Sequence, residues 1–275
     1  MRDDSALDQL AADLLQARDA ARLTMLPSRR EVGFDLDKGY QVGHVLHERL
    51  MERGYRSVGR KLAFTNPATW EEFNVDTPIW AHMYAQTVRF ADRGSFRLSL
   101  GGMAAPRIEP EVVLNLRRPV PAGNPSAEEL AGCLDWVAIG FEIVDCHYPD
   151  WRFTAADTVA DFGVHAALVV APPWRLDRDD PRQVAAQLQK LRVTLCRGTE
   201  IVAVGEGRNA LGSPLLALGH LARVIVGQSW APPLTPGEII TTGTLTPLPP
   251  VSSGERWSVD VAGAPIAPLQ LELCD

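Results

Sequence analysis

At 275 residues and 46% hydrophobic content the chain can build one large domain or two small ones around a substantial core. A formal net charge of −7, with 34 acidic against 27 basic residues and no basic run, excludes nucleic acid or an anionic membrane as the main partner. The charged start MRDDSALDQL lacks a signal-type apolar region, no run reaches the ~20 apolar residues needed to cross a bilayer, and the four cysteines (Cys133, Cys146, Cys196, Cys274) include no CxxC pair, so a cytosolic protein with reduced thiols is expected.

The first predicted element is a helix over residues 5–24, where Leu7, Leu10, Leu14, Ala17 and Ala21 recur at helical spacing. A connection containing Pro27 and Gly33 follows. A second helix is predicted at 38–53, with Val42, Val45, Leu46 and Leu50 on one stripe and Gly54 at its end. Beyond it the pattern becomes strand-like between Gly and Pro punctuation, at 57–64, 95–100, 107–116, 136–145, 191–197, 200–205, 237–243, 256–262 and 267–273. Helices interrupt at 126–133, 181–190 and 214–226. Strands outnumber helices without alternating with them, which favours a β-rich α+β fold over a doubly wound sheet. The expected organisation is an N-terminal helical portion, 1–68, and a β-rich domain, 69–275. The glycines of GEGRNALG do not have dinucleotide-fingerprint spacing, so nucleotide binding is rejected.

Two strands carry the chemistry. In PRIEPEVVLNL, alternation puts Glu109 and Glu111 on one face, where like charges repel unless that face is in water or holds a cation. In WVAIGFEIVD both faces are apolar, so the strand is expected to be buried with Glu142 in its middle. A lone buried carboxylate costs several kcal/mol unless it is protonated, paired or metal-bound. A divalent cation between Glu109, Glu111 and Glu142 answers both problems. All-oxygen ligands fit Mg²⁺, Mn²⁺ or Ca²⁺ rather than zinc, and positions left open on the ion admit substrate oxygens.

RIEPEVVLNL, AIGFEIVDCHYPDW, DTVADFG, GSPLLAL and GEIITTGTLT, in this order, resemble the hydratase/decarboxylase branch of the fumarylacetoacetate hydrolase superfamily over residues 40–270. The resemblance implies a mixed β-roll with an N-terminal helical portion, and Mg²⁺ or Mn²⁺ on Glu109, Glu111 and Glu142. It implies 2-oxo or 2-hydroxy-dienoic acid substrates from aromatic catabolism, and a homo-oligomer. The family's lysine strand matches VGRKLAFT at Lys61 and Thr65, with Ala63 in place of a glycine. Its acid element matches VDTPIW at Asp76, and its T-G strand end matches Thr242, Gly243, Thr244 and Thr246, which are expected to hold a carboxylate. Lys61 and Asp76 are the expected proton handlers, with pKa values shifted toward neutrality.

Each of these residues also has a plain structural reading. Lys61 can be a surface charge, Asp76 can start a turn, Asp157 and Asp161 can cap or bridge a helix, and His147 and His165 can be satisfied core or rim histidines. One departure stands out: the resembled enzymes read D-T-x-A-D-N-A-S where this chain has DTVADFGVHA. Phe162 replaces the asparagine and His165 a small residue. Placed near the substrate's distal end, these two predict poor handling of a five-carbon dienoate and a distal carboxylate met by His165. The expected activity is a metal-dependent lyase of the 2-keto-4-pentenoate hydratase type, working through a dienolate. The alternatives are a 2-oxo-3-hexenedioate (4-oxalocrotonate) decarboxylase, an acylpyruvate hydrolase using a His–Glu pair, and a catalytically silent assembly partner of a decarboxylase.

Overall fold

The computed structural model describes residues 2–67, 70–73 and 75–275, without the side chains of 2–4, 72 and 73. Two helices open the chain, α1 (Arg2–Asp19) and α3 (Leu36–Glu52), with the single turn α2 (Pro27–Arg30) between them. Asp35 caps α3 by accepting the Lys38 N–H, which fixes where that helix begins. The stripe predicted from sequence faces inward: Leu7, Leu10 and Leu14 of α1 meet Val42, Leu46 and Leu50 of α3 in one buried cluster.

The rest is built on two sheets. The larger runs β2 (Ile79–Tyr84), β1 (Ser57–Ala63), β11 (Ile239–Thr244), β5 (Pro106–Leu116), β6 (Leu134–Asp145), β7 (His165–Val170) and β3 (Val88–Phe90), and the short β8 (Trp174–Arg175) also pairs with β6. The smaller runs β10 (Glu200–Glu206), β9 (Arg192–Arg197), β12 (Arg256–Ala262), β13 (Leu269–Cys274) and β4 (Ser95–Ser99). Two mixed sheets with a helical pair at the N-terminus make the β-rich mixed architecture that the resemblance implied. The helical portion expected over 1–68 includes β1, which lies inside the larger sheet between β2 and β11.

The main core lies on one face of the larger sheet. Ile108, Val112 and Leu114 of β5 and Ile139, Phe141 and Ile143 of β6 pack there with Leu195, Trp257 and Leu271 of the smaller sheet. Leu130 of α5 (Ala127–Ala131), Val184 and Leu188 of α7 (Pro181–Lys190) and Leu215, Leu218 and Leu221 of α8 (Pro214–Val226) join them. Against the expectation of no such run, Gly207–Val226 is long and apolar enough to cross a membrane by length and composition. Half of it is buried: Leu215, Leu218, Leu221 and Ile225 of α8 join the core, while Leu216 and Val226 are exposed.

The elements that escaped the sequence reading include the single turn α4 (Trp70–Phe73) and, in or beside the larger sheet, β2, β3, β7, β8 and α6 (Ala155–Ala160). Strand β7 is apolar on both faces, HAALVV, so it shows no alternation to read. Helix α6 is six residues long, set by a capping box in which Thr154 and Asp157 exchange bonds.

Candidate active site

Strand register brings the three acids together. Glu109 of β5 stands directly opposite Glu142 of β6, and Glu111 lies two residues along the same face. All three are buried, and each offers an oxygen within 4.8 Å of the others. This is the arrangement that alternation and the apolar setting of Glu142 called for.

Each of two acids has one oxygen satisfied and one left over. Between Thr241 and Thr244, strand β11 carries an extra residue relative to β5. Gly243, at φ 91° within this bulge, turns its N–H onto Glu111 Oε2 at 2.5 Å. A Cβ at position 243 would lie 1.8 Å from Thr65 Oγ1, so no side chain fits there. Glu142 Oε1 accepts from His165 Nδ1 at 2.7 Å and stands 3.3 Å from Lys61 Nζ. Glu111 Oε1 and Glu142 Oε2 are buried without a hydrogen-bond partner. Two unpartnered carboxyl oxygens in a cluster of three buried acids, each offering an oxygen within 4.8 Å of the others, suit a hard divalent cation, so the residues fit the ion.

Electrostatics agree with a surplus of negative charge. Burial raises the Glu109 carboxyl to about 7 despite Lys61, and burial with the charges of Glu142 and Glu109 drives Glu111 well above the usual carboxylate range. Burial works against the Glu142 carboxylate too, but Lys61 and His165 outweigh it and hold it ionised. Lys61, fully buried, is likewise held protonated, because Glu142, Glu109 and Glu111 outweigh its burial. The expectation of a lysine shifted toward neutrality is therefore corrected, the three carboxylates being the reason.

Lys61 Nζ also donates to the Gly163 carbonyl at 3.0 Å. That carbonyl belongs to a turn in which Phe162, Gly163 and Val164 all have positive φ, at 56°, 61° and 54°. Left-handed backbone is costly for a phenylalanine and more so for a β-branched valine. The turn is held from before by Asp161, whose carboxylate accepts from His147 Nδ1 at 2.9 Å.

A cavity opens beside Glu109, which of the three acids is the one in its lining. Lys61, Glu109, Thr65, Asn66 and Thr244 line its polar end, and Phe64, Trp151, Phe153, Val164 and Leu248 line the remainder. Among the described residues Lys61 is the one cation in that lining. The hydroxyl of Thr65 is committed to the Thr242 carbonyl at 2.7 Å, that of Thr242 to the Val112 carbonyl at 3.0 Å, and that of Thr244 to the Thr246 carbonyl at 2.8 Å. These hydroxyls therefore brace the strand ends as donors, and what they offer a ligand is acceptor capacity only.

Three expected site residues lie elsewhere. Asp76 is exposed on the connection into β2, outside the cavity lining. Phe162 points into a different cavity beside Tyr40, Trp80, His82 and Trp230, with the Arg18 guanidinium 4.4 Å above its ring. His165 is buried beside Glu142 with both ring nitrogens bonded, and does not line the cavity. The predicted distal wall made by Phe162 and His165 is thus corrected: the left-handed turn sends Phe162 away from this cavity into the buried cluster of the N-terminal helices, and the His165 ring is occupied. The walls that do face the cavity, Trp151 and Phe153, sit in the DCHYPDWRF stretch just after Glu142, where sequence offered no periodicity to place them.

The family described as Fumarylacetoacetate (FAA) hydrolase C-terminal matches residues 53–270. A 2-keto-4-pentenoate hydratase 1 from Dechloromonas aromatica (strain RCB) is 32% identical over 257 residues, covering 93% of both chains. Among solved structures, 4-oxalocrotonate decarboxylase from Pseudomonas putida G7, complexed with magnesium and adipate, superposes with a TM-score of 0.86 at 21% identity, covering 97% of each chain. Fumarylpyruvate hydrolase from Pseudomonas aeruginosa, in complex with Mn²⁺ and pyruvate, gives 0.60 at 14% identity, over 80% of this chain and 89% of that one.

Proposed function

Because the chain belongs to the fumarylacetoacetate hydrolase family, we propose that it is a divalent-metal-dependent hydratase of 2-hydroxy-dienoic acids whose far end carries no charge. One observation carries this reading. Lys61 and Glu109 line the polar end of a cavity whose remainder is aromatic and apolar, and Glu111 and Glu142, each with one unpartnered oxygen, stand beside Glu109.

Held by Glu109, Glu111 and Glu142, Mg²⁺ or Mn²⁺ supplies Lewis-acid polarisation of a substrate oxygen. The chain's own residues do the rest. Lys61 is cationic and aimed by two fixed acceptors, the Gly163 carbonyl and Glu142. It therefore serves as an anchor for the 2-oxo acid head and as a proton donor where negative charge grows on that head. Trp151, Phe153, Val164 and Leu248 receive the hydrocarbon end and limit water to the molecule that reacts. The dienol gives up its hydroxyl proton and takes one at C5. Water then adds, with hydroxyl to C4 and hydrogen to C3, so the net change is one water. Asp76 is given no part in this step.

The alternatives fit less well. A six-carbon dioate would put a second carboxylate against apolar walls, an expensive burial without a cation. An acylpyruvate hydrolase wants a histidine nitrogen free to activate water; His165 beside Glu142 has none, and His147, whose Nε2 makes no hydrogen bond, is buried between Asp145 and Asp161 outside the cavity lining. The test is kcat/KM for 2-hydroxypenta-2,4-dienoate against 2-oxo-3-hexenedioate, with Mn²⁺ and with EDTA. The five-carbon acid is expected to lead by about 10-fold or more, in line with leaving a buried charge unpaired, and EDTA to abolish turnover. A lead for the dioate, or turnover in EDTA, overturns the reading.

A further inference from the structure

His165 stands where the pairing of β6 and β7 is interrupted. The register runs Glu142 to Leu168 and Ile143 to Ala167, then Val144 to His165, so Ala166 is an extra residue. Unbroken alternation would have put His165 on the same face as Ala167 and Val169, both in the main core. The bulge re-aims its ring onto the face that carries Glu142.

The ring then has a partner at each end. Nδ1 meets Glu142 Oε1 at 2.7 Å, and Nε2 meets Thr87 Oγ1 at 2.8 Å. A carboxylate can only accept, so Nδ1 carries a proton. The Thr87 hydroxyl receives the Tyr84 N–H at 3.3 Å and has one proton to give, which Nε2 takes as acceptor. The alternative gives that proton to the Tyr84 carbonyl at 3.0 Å and requires a second buried cation beside Lys61. The donors therefore run in one direction: Tyr84 N–H to Thr87, Thr87 O–H to His165, His165 N–H to Glu142. Thr87 is itself fixed, because its carbonyl accepts the Leu168 N–H at 2.9 Å and Leu168 pairs with Glu142.

We propose that Thr87 and His165 are positioning residues that hold Oε1 of Glu142 and thereby aim its free Oε2 at the cation site formed with Glu109 and Glu111. This rests on the metal-dependent reading above and adds to it a device for metal affinity. Without the relay, the Glu142 carboxylate can rotate, and Lys61 alone at 3.3 Å restrains it. Outer partners of this kind are worth about 10–100-fold in metal affinity.

The experiment is Mn²⁺ titration of the full chain, read by the electron paramagnetic resonance of free Mn²⁺, with no substrate present. His165→Ala is expected to weaken Mn²⁺ binding by about 10–100-fold. His165→Asn, whose amide N–H can replace Nδ1–H, is expected to recover most of the loss. Thr87→Val, which keeps shape and removes the hydroxyl, is expected to weaken binding in the same direction and decides the matter should His165→Ala not fold. Nitrogen NMR of the metal-free protein should show the His165 proton on Nδ1. Thr87→Val and the folded His165 variants binding Mn²⁺ within about twofold of the parent, or the proton residing on Nε2, overturns the relay and leaves the hydratase reading standing. Glu142→Gln binding Mn²⁺ as tightly as the parent overturns both.

Discussion

Strand β6 and the residues just after it serve two buried charged clusters, and they are balanced in opposite ways. Around Glu142, three carboxylates face one lysine, and two oxygens have no partner. Three residues further on, Asp145 accepts the N–H groups of Ala104 and Ala105 at 3.0 and 2.7 Å, and Asp161 accepts from both the ring and the backbone of His147. The His147 ring lies between the two aspartates, with Nε2 3.4 Å from Asp145. No oxygen of Asp145 or Asp161 is orphaned. The second cluster satisfies both of its carboxylates, leaves only the His147 Nε2 without a hydrogen bond, and ties α6 to the end of β6. The first leaves two carboxyl oxygens, Glu111 Oε1 and Glu142 Oε2, without a partner. Burial alone does not mark a functional acid; the surplus does.

This contrast is broken most strongly at Glu111. Glu111→Gln should lower metal-supported turnover by roughly 10³-fold, the scale of several kcal/mol of Lewis-acid stabilisation. Its unfolding free energy in EDTA should hold or rise, since a surplus buried carboxylate is removed. A clear stability loss in EDTA would show the first cluster to be structural as well. Next comes Asp161→Asn, which takes one partner from a buried pair. It should cost about 3–5 kcal/mol in denaturant unfolding, with or without Mn²⁺. A loss confined to the metal-loaded protein would merge the two clusters into one.

The second cluster also has a pH signature. Burial disfavours the His147 imidazolium, but Asp161 and Asp145 outweigh that and raise it from 6.5 to about 10. A group raised on folding stabilises fully below its unfolded value, and that contribution fades as pH rises through its folded value. The Tm gap between the parent and His147→Gln should therefore be widest at pH 6 or below and close near pH 10. A gap constant across that range counts against a charged His147. The smallest effect belongs to Phe162→Asn. Asparagine tolerates positive φ, and the side chain lies outside the cavity. The ratio of kcat/KM for the five- and six-carbon acids should stay within about twofold of the parent, as for a site with no contact to the substrate; a reversal of preference would place Phe162 at the substrate after all.

Much of this site was legible from the order of residues. Alternation put Glu109 and Glu111 on one face, and the apolar surroundings of Glu142 demanded a partner for it. Both inferences use period-2 geometry, which is local. The helices at 181–190 and 214–226 were legible for the same reason, being set by Pro at the first turn and by their apolar spacing. What sequence could not fix was anything that depends on a register break or on contact between distant strands. The Gly243 N–H reaches Glu111 only through the bulge in β11, and His165 reaches Glu142 only through the bulge in β7. Lys61 and Gly163 are 102 residues apart in the chain and meet because the sheet brings β1 to the turn before β7. The sequence by itself determined which acids would need a partner beyond their own strands. The tertiary structure decided which of their oxygens remain free, because freedom is whatever remains after long-range hydrogen bonds have claimed the other oxygens.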